Sequence, residues 1–223
     1  LFERLWVLLR DLDDKDGICR TVTLDTQYRM HPILGGYVSR SFYETDGTRP
    51  VTIQSPRRAE EFAHTLPGYD KAGRPCAAAW LDVPARRGRE QPGISKRRES
   101  EAQAIAAEIH RLIDHDPTLT IGVITFYSAQ KGAIGRAMLK NGLTERTGND
   151  DWQIAARWRR TRDPRGREVE RLRIGTVDAF QGMEFDIVFL SITRSNDLPG
   201  ANDADRRRKY GHLMLNNRLC VAM

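Results

Sequence analysis

At 223 residues with 30% charged side chains, the chain is long enough for one large α/β domain with a sizeable core, and its composition excludes a disordered or fibrous polymer. Thirty-six Lys and Arg against thirty Asp and Glu leave +6 and a pI near 9.5, a mild excess that points toward a polyanionic partner without establishing one. Cys19, Cys76 and Cys220 stand far apart outside any metal-ligand spacing, and no run reaches the roughly 20 apolar residues of a membrane span; no disulfide framework, zinc module or membrane helix is expected, and a reducing, cytoplasmic setting is.

Apolar residues at 1, 2, 5, 8, 9 and 12 draw a helical stripe. The chain starts inside that stripe, with neither Met nor a signal-peptide pattern, and is expected to be an excerpt of something longer. Arg20–Leu24 predicts a short strand that runs into Asp25-Thr-Gln-Tyr-Arg-Met-His-Pro32. Pro32, whose missing N–H is harmless in a first turn, opens a helix to about Tyr43. Residues 44–75 lack periodicity and read mostly as loop. Cys76–Val83 predicts a second strand, followed by a Gly/Pro-rich loop with Arg86, Arg87, Arg89, Lys96, Arg97 and Arg98. Ser95 or Ser100 is placed to cap a helix with apolar positions at 102, 105, 106, 109, 112 and 113, which Asp116-Pro117 ends. Thr120–Thr125 predicts the third strand, and Phe126-Tyr-Ser-Ala-Gln130 leads into a helix reaching about Lys140.

Residues 141–171 read as a basic insertion. Asn149-Asp-Asp opens it, and Arg157, Arg159, Arg160, Arg162, Arg165, Arg167 and Arg171 follow, interleaved with Trp152 and Trp158. Asp163-Pro-Arg-Gly166 suits a hairpin turn. Aromatic platforms beside cationic side chains hold single strands, while an arginine-rich loop can also be a merely solvated surface. Two apolar runs then flank a polar turn: Leu172–Val177, Asp178–Glu184 and Asp186–Ile192. The second run fits a strand covered on both faces, and a Gly-containing loop at such a strand end is where α/β proteins place ligand chemistry. Ser195–Gly211 is a second basic loop, with Arg206-Arg-Arg-Lys209, and Leu213–Met223 begins a last helix. The alternation of strand and helix predicts a three-layer α/β domain, mainly parallel, with helices on both faces. The five histidines have no metal spacing.

Two constellations carry chemistry. Gln27-Tyr28-Arg29 puts a guanidinium, able to fork onto phosphate oxygens as a lysine cannot, beside an amide and an aromatic ring. The alternative there is a surface arginine with a core tyrosine. Gln181-Gly182-Met183-Glu184 offers close backbone approach at Gly182 and a carboxylate for a sugar hydroxyl at Glu184, or else an ordinary inter-strand turn.

In this order the segments resemble the C-terminal RecA-like domain of superfamily 1 helicases, in the branch of the nonsense-mediated decay helicase and related DNA helicase-nucleases. Gln27-Tyr-Arg-Met-His-Pro32 matches motif IV of that branch, and Phe42-Tyr43 the pair after it. Ile121-Gly-Val-Ile-Thr-Phe-Tyr-Ser-Ala-Gln130 resembles its Gly-Val-Ile-Thr-Pro-Tyr strand and loop. Thr176-Val-Asp-Ala-Phe-Gln-Gly-Met-Glu184 matches motif V, and Asn217-Arg-Leu-Cys-Val-Ala-Met223 the opening of motif VI. The likeness covers almost the whole of 1–223 as one RecA-like domain, leaving 44–75 and the insertion 141–171 outside it.

The resemblance implies roles. Arg29 would contact the γ-phosphate of ATP, with Tyr28 near the adenine and Gln27 nearby; Glu184 would bind the ribose, Gly182 would let the backbone come close, and Arg218 would take the earlier motif VI arginine position. Thr125, Tyr127, Gln130 and Thr176, with Arg194, would face the backbone of single-stranded DNA or RNA. ATP and Mg2+ would be held mainly by an N-terminal RecA-like domain of the same protein, since no Gly-x-x-x-x-Gly-Lys-Ser/Thr occurs here and no acidic magnesium motif. Phe126 replaces the usual Pro, and the motif VI arginine expected two residues after Met223 is absent. The chain alone is therefore expected to be inactive, and to serve as the second motor domain of an ATP-hydrolysing helicase that is cytoplasmic, or nucleoid-associated in a bacterium. The alternative is a non-catalytic nucleic-acid-binding module that keeps the fold.

Overall fold

The computed structural model describes residues 2–45, 50–148 and 151–223. Leu1 of the N-terminal stripe, residues 46–49 of the expected loop and Asn149-Asp150 at the opening of the insertion lie outside the described residues. The chain divides into two compact units, Leu1–Phe62 and Ala63–Met223.

In the first unit the N-terminal stripe folds as helix α1, Phe2–Asp16, and Leu5, Leu8 and Leu12 on it stay exposed. Asp13 then decides the next segment. Its carboxylate accepts hydrogen bonds from the backbone N–H of Arg20 (2.9 Å) and Thr21 (3.1 Å) and from the Thr21 hydroxyl (2.8 Å). Those groups are lost to any ladder, and the expected strand Arg20–Leu24 does not form; a parallel bridge between Thr26 and Gln54 stands nearby. Helix α2, Pro32–Val38, starts at the expected proline and runs on as a π-helical turn through Ser39–Tyr43. At its N-cap, His31 Nδ1 accepts from the Ile33 N–H at 3.1 Å.

The second unit contains, in chain order, a hairpin of β1 (Asp70–Lys71) and β2 (Arg74–Pro75), α3 (Glu99–His115), β3 (Ile121–Thr125), α4 (Ser128–Met138), a hairpin of β4 (Thr144–Arg146) and β5 (Trp152–Ile154), and a single turn, α5 (Ala156–Arg159). There follow a hairpin of β6 (Arg160–Arg162) and β7 (Glu168–Glu170), then β8 (Leu172–Thr176), β9 (Ile187–Ser191), α6 (Asp203–Tyr210) and α7 (Asn216–Ala222).

Strand β3 lies at the centre of a three-stranded parallel sheet, order β8-β3-β9, with Thr125 opposite Thr176 on one side and Ser191 on the other. Alternation along the strands sends Ile121, Val123, Leu172 and Ile174 to the face covered by α3 and α4. The six apolar α3 positions at 102, 105, 106, 109, 112 and 113 are all buried, and all but Leu112 belong to this core. Each large aliphatic side chain so buried contributes roughly 1.5–3 kcal/mol. Ile124 points the other way, into a second cluster with Phe126, Tyr127, Val177, Phe180 and Ala222 of α7. Gly122 and Gly175 make that face possible, because a Cβ on either would come within 2.9 Å of the Phe180 ring. The result is a three-layer α/β arrangement with a parallel sheet.

Three local expectations are corrected. Cys76–Val83 forms no strand; the carbonyls of Val83 and Pro84 accept instead from the Arg98 guanidinium, at 2.5 and 3.2 Å. Neither Ser95 nor Ser100 caps α3, whose N-cap position is Arg98. The loop 195–211 holds helix α6, capped by the Asn202 side chain accepting from the Asp205 N–H at 2.9 Å. The insertion is built into the unit: Trp152, Ile154 and Trp158 pack against the α3–α4 core, and the Trp158 indole N–H donates to the Gly142 carbonyl at 3.1 Å. Asp163–Gly166 does make the turn between β6 and β7, closed by Gly166 N–H to the Asp163 carbonyl at 2.8 Å.

Candidate functional site

In the first unit, the 27–31 loop is shaped by one amide. Gln27 Oε1 accepts from the N–H groups of Arg29 (2.9 Å) and Met30 (2.7 Å), and its Nε2 donates to the Met30 carbonyl (3.1 Å) and the Ser55 hydroxyl (2.8 Å). Two donors and two acceptor positions exhaust what a carboxamide offers. The loop is thus locked around Gln27, while Tyr28 and Arg29 are exposed on its outside. Arg57 supports the same loop from below, donating to the Tyr28 carbonyl at 3.2 Å and lying over the Phe62 ring. The sequence placed all three residues together as ligand groups; the structure separates a brace from two outward side chains.

In the second unit the carboxyl edge of the sheet carries a row of hydroxyls, Thr176, Thr125 and Ser191, in register on the face toward α3 and α4. Only Thr176 reaches an opening. It lines a cleft of about 200 Å³ with Phe126, Ser128, Val177, Asp178 and Arg218. Arg218 Nη2 meets the Asp178 carboxylate there at 3.3 Å, joining the last helix to the turn after β8.

The other expected strand-facing residues are turned inward. Thr125 and Gln130 are both 0% exposed. The Gln130 amide accepts from the Arg98 N–H at 2.7 Å and donates to the Ser191 hydroxyl at 3.1 Å; that hydroxyl donates in turn to Glu101 at 2.8 Å. Glu101 also receives the Thr193 N–H at 3.0 Å and pairs with Arg98 at 3.7 Å. Thr193, a β-branched residue held at φ +67°, is therefore pulled into the interior by this carboxylate, and the chain turns sharply after β9. Its neighbour Arg194 has a side chain only 7% exposed, paired with Glu90 at 3.0 Å and donating to the Tyr127 hydroxyl at 3.3 Å. The side chains of Thr125 and Gln130, expected beside a bound nucleic-acid strand, lie in the interior: Thr125 Oγ1 accepts from the Tyr127 N–H at 3.4 Å, and Gln130 ties α4 to the end of β9 through Ser191. Sequence reading missed Glu90, Glu101 and the structural part of Arg98, all of which looked like charges of a solvated loop; the one available signal was a carboxylate three residues after an arginine at a helix start.

The Asp178–Glu184 turn opens with a short 3-10 segment, Val177–Phe180, whose Phe180 ring is buried and stands 5.7 Å from Phe185. Beyond this anchor Gln181, Gly182 and Glu184 are exposed. Gly182 sits at φ +81° with open space where a Cβ would project, so a ligand can approach its backbone. Among the described residues no group of three His, Cys, Asp or Glu could hold a metal ion, and no helix is long and apolar enough to cross a membrane.

A comparison with protein families matches residues 1–223 to AAA_12, an AAA domain. The chain belongs to this family. Curated relatives agree along its length: it is 28% identical over 232 residues to the regulator of nonsense transcripts 1 of Caenorhabditis elegans, covering 100% of this chain and 18% of that protein. It is 30% identical over 233 residues to the Arabidopsis thaliana homolog, covering 97% and 15%, and 29% identical over 209 residues to the ATP-dependent helicase NAM7 of Saccharomyces cerevisiae, covering 88% and 18%. The chain thus spans less than a fifth of the length of these relatives. As an AAA_12 domain it is a RecA-like, P-loop NTPase-type domain of the superfamily 1 helicase kind, in the nonsense-mediated decay branch.

Proposed function

We propose that this AAA_12 domain is the second motor domain of an ATP-dependent helicase or translocase that acts on single-stranded DNA or RNA. The observation that carries the reading is the Gln27 brace, which spends a whole carboxamide on fixing the backbone of Arg29 and Met30 and leaves Arg29 exposed on a rigid loop. A guanidinium supplied from a second domain stabilises charge on a transferred phosphoryl group only when its position is fixed beforehand. Arg29 and the exposed Tyr28 of the first unit would contact the phosphate and base ends of ATP; ATP supplies the phosphoryl group, and Mg2+ would come with the N-terminal RecA-like domain. Gln27 acts as a positioning residue.

Strand contact in this reading falls to Thr176 and its cleft at the sheet edge, beside Ser128 and Arg218. Tyr127 and Arg194 act at that edge through the joint they make with Glu90, and Thr125 with Gln130 from beneath it. A cytoplasmic or nucleoid setting suits a protein with this substrate.

Arg29→Ala in the full-length protein is expected to lower strand-stimulated ATP turnover by about a thousandfold or more, as removal of such an arginine does, while strand affinity without nucleotide changes by less than about twofold. Wild-type turnover in that variant refutes the motor assignment and leaves a non-catalytic binding module.

A further inference from the structure

We infer that the β6–β7 hairpin is a second nucleic-acid contact, outside the motor site, that grips phosphates by charge rather than by stacking. Residues 157–171 hold seven arginines against Asp163, Glu168 and Glu170, a net +4 in a chain whose total is +6. The structure sorts those arginines. Arg157 and Arg171 flank the Trp158 ring at 5.1 and 4.3 Å, and Arg171 also donates to the Pro117 carbonyl. Arg159 donates to the Ile154 carbonyl at 2.8 Å and pairs with Glu145 at 3.1 Å, and Arg167 closes the turn on Asp163. Arg157, Arg159 and Arg171 are engaged in mounting the hairpin on the domain, and Arg167 in bracing its turn.

Arg160, Arg162 and Arg165 are different. All three are exposed, and among the described residues their side chains make no hydrogen bond or ion pair within the chain. Arg160 and Arg162 are two residues apart on β6, so they project from the same face about 7 Å apart. A shallow, open groove of about 450 Å³ beside them is lined by Arg160, Thr161, Arg162, Gly166 and Glu168. Glu168 lies directly across from Arg162 and Glu170 across from Arg160, where Glu170 is paired with Arg173, so the face is cationic but not uniformly so. The two tryptophans that could have offered stacking platforms are instead turned into the core, Trp152 against Gly135 and Trp158 under its two arginines. What faces outward is a rigidly mounted set of guanidinium forks with no aromatic partner. Such a surface recognises a run of phosphates, of either sugar and any sequence.

The site goes beyond the function proposed above, since neither the ATP residues nor the Thr176 cleft takes part in it. The test uses the full-length protein with Arg160→Ala, Arg162→Ala and Arg165→Ala combined, and fluorescein-labelled oligothymidylate and oligouridylate as probes, read by anisotropy across a salt series. Removing three phosphate contacts should weaken binding roughly tenfold and flatten the slope of log affinity against log salt by about 2. The corresponding Lys triple, which keeps point charges, should recover most of the slope, and turnover of ATP without a strand should be unchanged in both. A wild-type protein that binds steeply with salt, beside an Ala triple of equal slope and affinity, overturns the hairpin assignment alone. A wild-type protein that binds neither probe overturns this inference together with the motor reading.

Discussion

Gln130 separates two meanings of a polar residue at a strand end. Its side chain is fully buried on α4, and Gln130→Ala would strip the Arg98 N–H of its 2.7 Å acceptor and the Ser191 hydroxyl of its 3.1 Å donor. A buried donor left unsatisfied costs about 1–3 kcal/mol, and the void left by the missing amide adds roughly 1 kcal/mol; the gain in helix propensity returns only a few tenths. The expected loss is about 3 kcal/mol. With slopes of about 1–3 kcal/mol per molar urea, that moves the unfolding midpoint of the chain, followed by far-ultraviolet circular dichroism, by about 1 M or more. Gln130→Glu keeps the volume but cannot donate to Ser191, and it adds a second carboxylate beside Glu101; it should destabilise as well, which a pure cavity effect would not produce. Strand affinity of the folded full-length variant should stay near wild type, in contrast to Thr176→Ala. If Gln130→Ala shifts stability by less than about 0.5 kcal/mol but weakens strand binding, the residue faces the strand and the interior reading is wrong.

Two further outcomes follow from local geometry. Gly135→Ala would stabilise an exposed helix by up to about 1 kcal/mol, but here its Cβ would lie 1.9 Å from Trp152 Cε2, so a loss of about 1–3 kcal/mol is expected; Trp152→Ala in the same chain should abolish that penalty, and additive losses in the urea midpoints would refute the clash. Glu108 accepts from the Tyr69 hydroxyl at 2.7 Å and from Arg111 Nε at 3.1 Å, and the Arg111 hydrogen bond foremost, with Tyr69 assisting, holds its carboxyl below the usual carboxylate range despite partial burial. A depressed folded value means stability that is present above the unfolded carboxylate range, near pH 4.3, and is lost as pH falls through the folded value. The stability gap between wild type and Glu108→Gln should therefore be widest at neutral pH and close in acid, and a gap independent of pH excludes the linkage.

What the sequence disclosed follows the physics of each signal. The β3, β8 and β9 runs and the α3 stripe were legible because burial on a fixed period leaves its mark on residue type, and β3 with all five residues buried is the extreme case. Arg20–Leu24 and Cys76–Val83 have strand composition, yet no neighbour is in place to pair with them: Asp13 takes the N–H groups of the first, and Arg98 the carbonyls at the end of the second. Both captures are made by side chains distant in sequence or placed across a loop, and no window of periodicity contains them. The tryptophans of the insertion illustrate the same gap. Interleaving with arginine is the composition of a stacking surface, but Gly135, on a helix that precedes the insertion, leaves the recess into which Trp152 turns.

At the candidate site the limit is of another kind. Motif residues were legible as a set, because amides, hydroxyls and guanidiniums cluster where chains turn at a sheet edge. Their division into groups that touch and groups that hold was not, since both need the same hydrogen-bonding chemistry. Gln27 and Gln130 are alike in composition and in being spent wholly or largely on backbone N–H groups and hydroxyls of their own unit. Rigid presentation requires such braces: an exposed guanidinium on a long side chain loses about 2 kcal/mol of rotamer freedom when it is fixed, and a backbone already locked removes the further cost of ordering the loop. The turn from Thr176 to Glu184 shows the same division within nine residues. Phe180, wedged over Gly122 and Gly175, fixes its middle, and this one ring leaves Thr176 on the cleft at one end and Gly182 with Glu184 exposed at the other. A shift at either end must therefore work against the packing of that ring, so the two ends are mechanically joined through Phe180.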